Sequence, residues 1–297
     1  MAFAHAKILL LGEHAVVHGE PALAAGLDVG VEARIEPGPA GISCPAWQLE
    51  ARVGDGSKVA AALVALSEAL GLPAARLVLD AGVPAGAGLG SSAAMAVACA
   101  RALAEHAGVA LSDDALSDAA FASERVFHGN PSGLDHTVAI KGGLLRYVRG
   151  TPPRVERVRA AGPLRLVIAQ VQPGADTGRM VAGVAAQRDR LGDVAARLHA
   201  TIGALVVEAE RAIVEGDQPR LGELMNIDHH LLGAIGVSNA SLDAACHAAR
   251  EAGALGAKLT GAGGGGCIIA LVDQGCEDAV RDALDPGSIG VYAASVG

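Results

Sequence analysis

The stretch PAGAGLGSSAAMAVA, residues 84–98, limits the possible folds more than any other in the chain. Glycines alternate at Gly86, Gly88 and Gly90, two serines follow, and an alanine-rich run of helical character begins. Glycine reaches backbone conformations closed to other residues and lets a main chain pass close to another group. A glycine loop opening into a helix therefore points one of two ways. It is a tight turn with Ser91 or Ser92 as an ordinary helix cap. Or it wraps a phosphate, because the first N–H groups of a helix lack intrahelical partners and carry the positive end of its dipole. A Walker A loop is excluded: Ser91 follows Gly90 where that motif requires lysine. The helix that follows places Met95, Cys99, Ala102 and Leu103 on one face and stops at Gly108.

A second glycine run, KLTGAGGGGCIIAL, occupies residues 258–271. Gly261, Gly263 and Gly266 spell G-x-G-x-x-G, but a dinucleotide fingerprint must open a helix. This run leads into the strand-like CIIALV, so that reading fails. A segment as glycine-rich as GAGGGG loses much conformational entropy on ordering. Close backbone approach to a ligand would offset the loss; a flexible hairpin loop is the plainer alternative.

Two further stretches carry ionisable groups. LGEHAVVHG, residues 11–19, follows the apolar KILLL of residues 7–11, which holds Glu13 and His14 near the core. H-E-x-x-H is absent and glycines flank the segment, so a zinc helix is excluded; a turn carboxylate remains the ordinary reading of Glu13. ERVFHGNPSGLDH, residues 124–136, begins with Glu124, which shares a helical face with Phe121 and Phe127. A carboxylate on an apolar face is costly unless paired or bound to metal. The alternatives are a metal ligand and a buried salt bridge to Lys7 or the surroundings of Arg125. Asp135 follows a Pro-Ser-Gly turn and suits either a helix cap or a functional carboxylate. Lys7, at a strand end, would ordinarily reach to solvent.

The 297 residues are 51% apolar, enough to bury a large core. Aromatics make up 2% and the net charge is -9, which argues against nucleic-acid binding, since that rewards stacking platforms and basic faces. No apolar run reaches the ~18–20 residues of a membrane span, and the N-terminus lacks the pattern of a signal peptide. Five cysteines without a C-x-x-C pair suit reduced thiols. A cytoplasmic location is the expectation. Helical spacing at 57–70, 112–128, 180–190, 195–215, 221–232, 241–252 and 277–284, with strands at 29–35, 76–80, 144–148, 164–171, 267–272 and 289–293, predicts an α+β fold. The turn GTPP at 150–153 marks the best boundary, giving lobes at 1–152 and 153–297.

KILLLGEHAVVHG, PAGAGLGSSAA and KLTGAGGGGC, in this order, resemble the three motifs of the GHMP kinase superfamily, and the likeness spans nearly the whole chain. Within it, AVVHG after the GEH triplet and the segment HGNPSGLD look most like the mevalonate kinases. His5-Ala6 departs from the family's Pro-Gly, and His136 from the asparagine usual after the catalytic aspartate. The resemblance implies two lobes, the first like the second domain of ribosomal protein S5 and the second ferredoxin-like. It implies transfer of a phosphoryl group from ATP to the 5-hydroxyl of mevalonate, giving 5-phosphomevalonate and ADP, with Mg²⁺ as cofactor and a homodimer as a compatible assembly. The alternatives are another acceptor, such as phosphomevalonate or a sugar, and a nucleotide-binding regulator without turnover.

By position, the resemblance makes Asp135 the general base and sets Lys7 beside the reacting hydroxyl and the transferring phosphoryl group. Gly86, Gly88, Gly90, Ser91 and Ser92 cradle the ATP phosphates, and Gly261, Gly263 and Gly264 close over them. Ser92 and Glu124 ligate Mg²⁺. Glu13, His14 and Thr177 line the acceptor pocket.

Overall fold

The computed structural model describes residues 1–129 and 131–297. The chain is shared between two compact units. The first holds Met1–Lys7, Asp28–Ala85 and Leu89–Gly142; the second holds Ile8–Leu27, Gly86–Gly88 and Gly143–Gly297. The division expected at 152/153 thus falls inside the second unit. A single cut fails because two strands run longer than their most apolar segments suggest. β1 (Ala2–Leu11) extends KILLL backwards, and β2 (Pro21–Glu36) runs for 16 residues, so each serves both units.

In the first unit, Val31–Glu36 of β2 pairs antiparallel with β5 (Arg76–Ala81). β5 pairs in parallel with β3 (Gly41–Cys44), which pairs antiparallel with β4 (Leu49–Arg52). Helices α1 (Lys58–Leu70), α2 (Ser91–Ala107), α3 (Asp113–His128) and α4 (Leu134–Lys141) complete it. Ser57 caps α1 by accepting from Ala60 N, and Ser112 caps α3 by accepting from Ala115 N; each such cap is worth about 1 kcal/mol. Gly71 and Gly108 end α1 and α2 in the left-handed conformation. α2 is buried around most of its circumference, which its alanines allow, and packs with Leu63, Leu66, Leu77 and Leu79 into one core.

The second unit is built on a sheet of four strands in the order β11 (Gly290–Val296), β8 (Leu164–Gln170), β10 (Cys267–Val272), β9 (Gly256–Thr260). Every neighbouring pair is antiparallel. Numbered along the chain the order is 4-1-3-2, with helices between the first and second strands and between the third and fourth. This is the ferredoxin-like arrangement the resemblance implied. Its helices are α5 (Thr177–Leu191), α6 (Asp193–Glu215), α7 (Gln218–Ala234), α8 (Ala240–Glu251) and α9 (Glu277–Leu284). Pro21–Ala25 of β2 pairs with β6 (Leu144–Val148), and β6 with β7 (Arg154–Arg157). Val167, Ile202, Leu232, Leu242, Leu259 and Ile268 join in the core of this unit.

The α+β class and most elements match their sequence patterns. β3, β4 and β7 had no counterpart in those patterns, because four-residue strands are too short to show alternation. β9 was hidden for another reason. All five of its residues are buried, so Lys258 and Thr260 occupy core positions where a polar residue ordinarily signals a loop.

Candidate active site

The first unit brings Lys7 to Asp135. Lys7 Nζ lies 3.3 Å from Asp135 Oδ1, and the lysine side chain is 3% exposed against 35% for the aspartate. Lys7 does not reach to solvent: its backbone N donates to Leu89 O at 2.9 Å, and its stem runs beneath Gly90. A Cβ at Gly90 would stand 2.7 Å from Lys7 Cγ, and Gly90 has φ of 70°. Glycine is required here for space and for conformation alike. Asp135 lies in the first turn of α4, after Gly133 in the left-handed conformation. A carboxylate is favoured at that end of a helix dipole.

Gly90, not Ser91 or Ser92, is the N-cap of α2, and no side chain caps the helix. The left-handed glycine ends the loop one residue early, so both serines are already helical. Ser92 Oγ lies 3.4 Å from His128 Nε2. The plainer reading of the loop, an ordinary serine cap, is therefore overturned.

Glu124 is 2% exposed, and its partner is neither Lys7 nor an arginine. Glu124 Oε2 sits 2.5 Å from His136 Nδ1, and His136 Nε2 sits 3.1 Å from Ser117 Oγ. His136, a departure from the family pattern, thus orients the buried carboxylate, while Phe121 meets its ring edge-on at 5.8 Å. Glu124 Oε2 is taken by His136, and the Ser92 hydroxyl on α2 is a further hard oxygen donor in this unit. That set suits Mg²⁺, which takes one or two protein oxygens and completes its shell with water and phosphate.

In the second unit the glycine run 261–266 is the turn between β9 and β10, and it is packed rather than loose. A Cβ at Gly263 would stand 2.2 Å from Val237 O, one at Gly265 2.4 Å from Pro173 O, and one at Gly264 2.7 Å from Met180 Sδ. Gly261 and Gly88 face each other, with Gly88 Cα 3.1 Å from the position of a Gly261 Cβ. The entropy cost of these glycines is therefore met in large part by close approach of protein backbone to protein backbone. Gly86 differs: φ is 65° and no protein atom lies within 4 Å of where its Cβ would be, so a ligand has room there. Thr177 is the first helical residue of α5, directly after Asp176, whose side chain caps the helix by accepting from Arg179 N. Gly174 passes so close to Gly86 O that no side chain fits, which places the segment before Thr177 against the first glycine loop.

His14 adopts φ of 59°, unusual for a residue with a side chain, and its Nε2 lies 2.9 Å from Ala262 O. Burial lowers the pKa of His14. Glu13 does not present its carboxylate to an open pocket. Its side chain is fully buried and bonded to Lys258, which also lies 3.4 Å from Asp228 Oδ2. Neither Lys258 nor Asp228 was singled out in the sequence. Lys258 is the first residue of the third motif, a usable signal; MNIDHHLL around Asp228 carries none.

The chain belongs to the GHMP kinase family: the model of the GHMP kinases N terminal domain matches residues 57–143, and that of the GHMP kinases C terminal matches residues 209–287. Within that family it is similar to mevalonate kinases. It is 34% identical to the mevalonate kinase of Aeropyrum pernix, over 99% of this chain and 95% of that one. It is 32% identical to human mevalonate kinase, over 98% and 91%. Among solved structures, L. major mevalonate kinase in complex with R-mevalonate superposes with a TM-score of 0.87 at 30% identity, covering 99% of this chain and 94% of that one.

Proposed function

We propose that the protein transfers the γ-phosphoryl group of ATP to the 5-hydroxyl of mevalonate, giving 5-phosphomevalonate and ADP. The observation that carries the reading is the buried Lys7 paired with the more exposed Asp135, its stem running beneath the glycine that caps α2. Phosphoryl transfer asks a protein chiefly for positioning and charge stabilisation. Asp135 accepts the proton of the acceptor hydroxyl. That oxygen bonds to the γ-phosphorus as the bond to the β,γ-bridging oxygen breaks, and ADP leaves with the electron pair. Lys7 holds Asp135 in place through their ion pair and faces the negative charge of the moving group.

Gly86, Gly88 and Gly90, with the backbone of Ser91 and Ser92, hold the phosphates at the uncapped start of α2. Gly261, Gly263 and Gly264 support them. The packing of Gly263 and Gly264 assigns those two to fixing the shape of the turn. Glu124 Oε1 and Ser92 Oγ hold Mg²⁺, which when bound offsets triphosphate charge; His136 keeps the Glu124 carboxylate oriented. By the family pattern His14 and Thr177 are the residues that meet the acceptor, and Glu13, bonded to Lys258, supports His14.

The test is ADP release by the purified chain with Mg²⁺ and ATP, against mevalonate, phosphomevalonate, homoserine, galactose and no acceptor. Turnover with mevalonate alone is expected. Turnover with a different acceptor would keep the phosphoryl-transfer residues and overturn the acceptor assignment. ATP binding without turnover on any acceptor would replace the kinase with a nucleotide-binding regulator.

A further inference from the structure

Lys258, Glu13 and Asp228 form a cluster in the second unit that the chemistry above leaves without a task. All three side chains are fully buried. The Lys258 ammonium donates to Glu13 Oε1 and, at 2.7 Å, to Leu259 O. Asp228 Oδ2 lies at an ion-pair distance of 3.4 Å, but neither Asp228 oxygen has a hydrogen-bond partner, nor does Glu13 Oε2. Buried ion pairs seldom add stability over apolar residues of the same volume, because desolvation offsets the attraction. A cluster with two carboxylates on one ammonium and unpartnered oxygens is a poor stabiliser, so its use lies in what it holds.

What it holds is the turn at residues 12–14. Three tethers join that stretch of chain to β9 and the turn after it. Thr260 Oγ1 accepts from Leu9 N and donates to Leu9 O, each at 3.0 Å. Lys258 holds Glu13, and Ala262 O meets His14 Nε2. Lys258 and Thr260 are two apart on a strand and so face the same side. Between the Glu13 and Ala262 tethers stands the left-handed backbone of His14, a conformation that persists only when its surroundings enforce it.

We propose that Lys258 is a positioning residue for phosphoryl transfer: by gripping the Glu13 carboxylate it keeps His14 in its left-handed turn on the acceptor side, with Asp228 as the second carboxylate that anchors the ammonium. The inference rests on the acceptor-side reading of His14. Lys258 touches neither nucleotide nor acceptor, and acts through Glu13.

The experiment compares Lys258→Met, Lys258→Arg, Glu13→Gln, the Lys258→Met/Glu13→Gln double variant and His14→Ala in the full chain. The readouts are kcat, KM for mevalonate, KM for ATP and the melting temperature. Misplacement by about 1 Å costs on the order of a hundredfold. Lys258→Met and Glu13→Gln should each raise KM for mevalonate by roughly 10–100-fold and leave KM for ATP within about twofold. The double variant should be no worse than the more impaired single one, because both break one link. Lys258→Arg should recover part of the loss.

Should Lys258→Met fail to fold, Glu13→Gln decides, since glutamine keeps the shape while its neutral amide gives up the ion pair with the ammonium. A folded Glu13→Gln with unchanged KM for mevalonate, beside a His14→Ala that raises it, overturns the inference and leaves the acceptor reading standing. A His14→Ala with unchanged KM for mevalonate overturns both. Equal rises in both KM values, or losses that merely follow the folded fraction, mark a purely structural cluster and also overturn the inference.

Discussion

Replacing Asp228 by asparagine removes a fully buried carboxylate that resists ionisation. With Lys258, Glu13 and Asp228 all charged, the fully buried cluster carries one net negative charge. Burial, resisted by Lys258 and aided by Glu13, lifts the Asp228 pKa from 3.8 to about 7. A raised carboxyl pKa contributes stability that is fully present below the unfolded value and lost as pH rises through the folded one. Between pH 5 and pH 8 the two pKa values give a loss of about 2–3 kcal/mol from this one group.

His18 and His229, both lowered to about 4 chiefly by burial, act in the opposite sense. Their contribution is present above about 6.5 and lost as pH falls. The informative quantity is therefore the difference between wild type and Asp228→Asn, in which the histidines cancel. Near pH 5 asparagine, which resembles the protonated acid, should already be the more stable by about 1–2 kcal/mol, because the unfolded carboxyl is ionised there while the folded one is still protonated. Between pH 5 and pH 8 that advantage should grow by about 2–3 kcal/mol, seen as a widening gap in melting temperature and urea midpoint. Urea unfolding at half-unit steps from pH 5 to 8.5 measures this. Parallel pH profiles for the two proteins would refute the reasoning, because the charge of Asp228 would then not change over that range.

Asp135→Ala should lower kcat by roughly 10²–10⁴ with the fold retained, measured by ADP release beside a melting curve; a loss under about tenfold rejects the general-base assignment. Gly90→Ala should strain a backbone at φ of 70° and push the Lys7 stem aside. It should cost at least about 1 kcal/mol of stability and reduce kcat more than KM for ATP; unaltered turnover would show that the lysine is not placed by this glycine. Gly263→Ala should lower the melting temperature strongly, since its Cβ would stand 2.2 Å from Val237 O, whereas Gly86→Ala carries the backbone strain of φ 65° without a clash and should lower it less while raising KM for ATP. A Gly263→Ala protein with the wild-type melting temperature would remove the packing role given to that glycine.

Local chemistry made much of the molecule legible. Ser57 before a spaced apolar run and Gly71 after it bracket α1, because capping depends on neighbours within a few residues. The same holds for Ser112 and α3, whereas α2 opens at Gly90 with no side-chain cap. Glu124 between two phenylalanines had to be paired or ligating, because a carboxylate cannot be buried alone. That requirement follows from the sequence; the identity of the partner, His136, twelve residues on, does not.

The sequence by itself determined the α+β class, the main helices, the three motifs and the residue types that suit phosphoryl transfer. These are properties of composition and of short spacings, where one turn or one strand sets the outcome. Tertiary structure alone decided what the glycines of the second run pack against, and why Lys258, 245 positions beyond Glu13, is buried against it. It decided equally that one long β2 serves both compact units. Such contacts form between segments distant in the chain, and the free energy of burying a charge depends on every group that surrounds it, which no local pattern records.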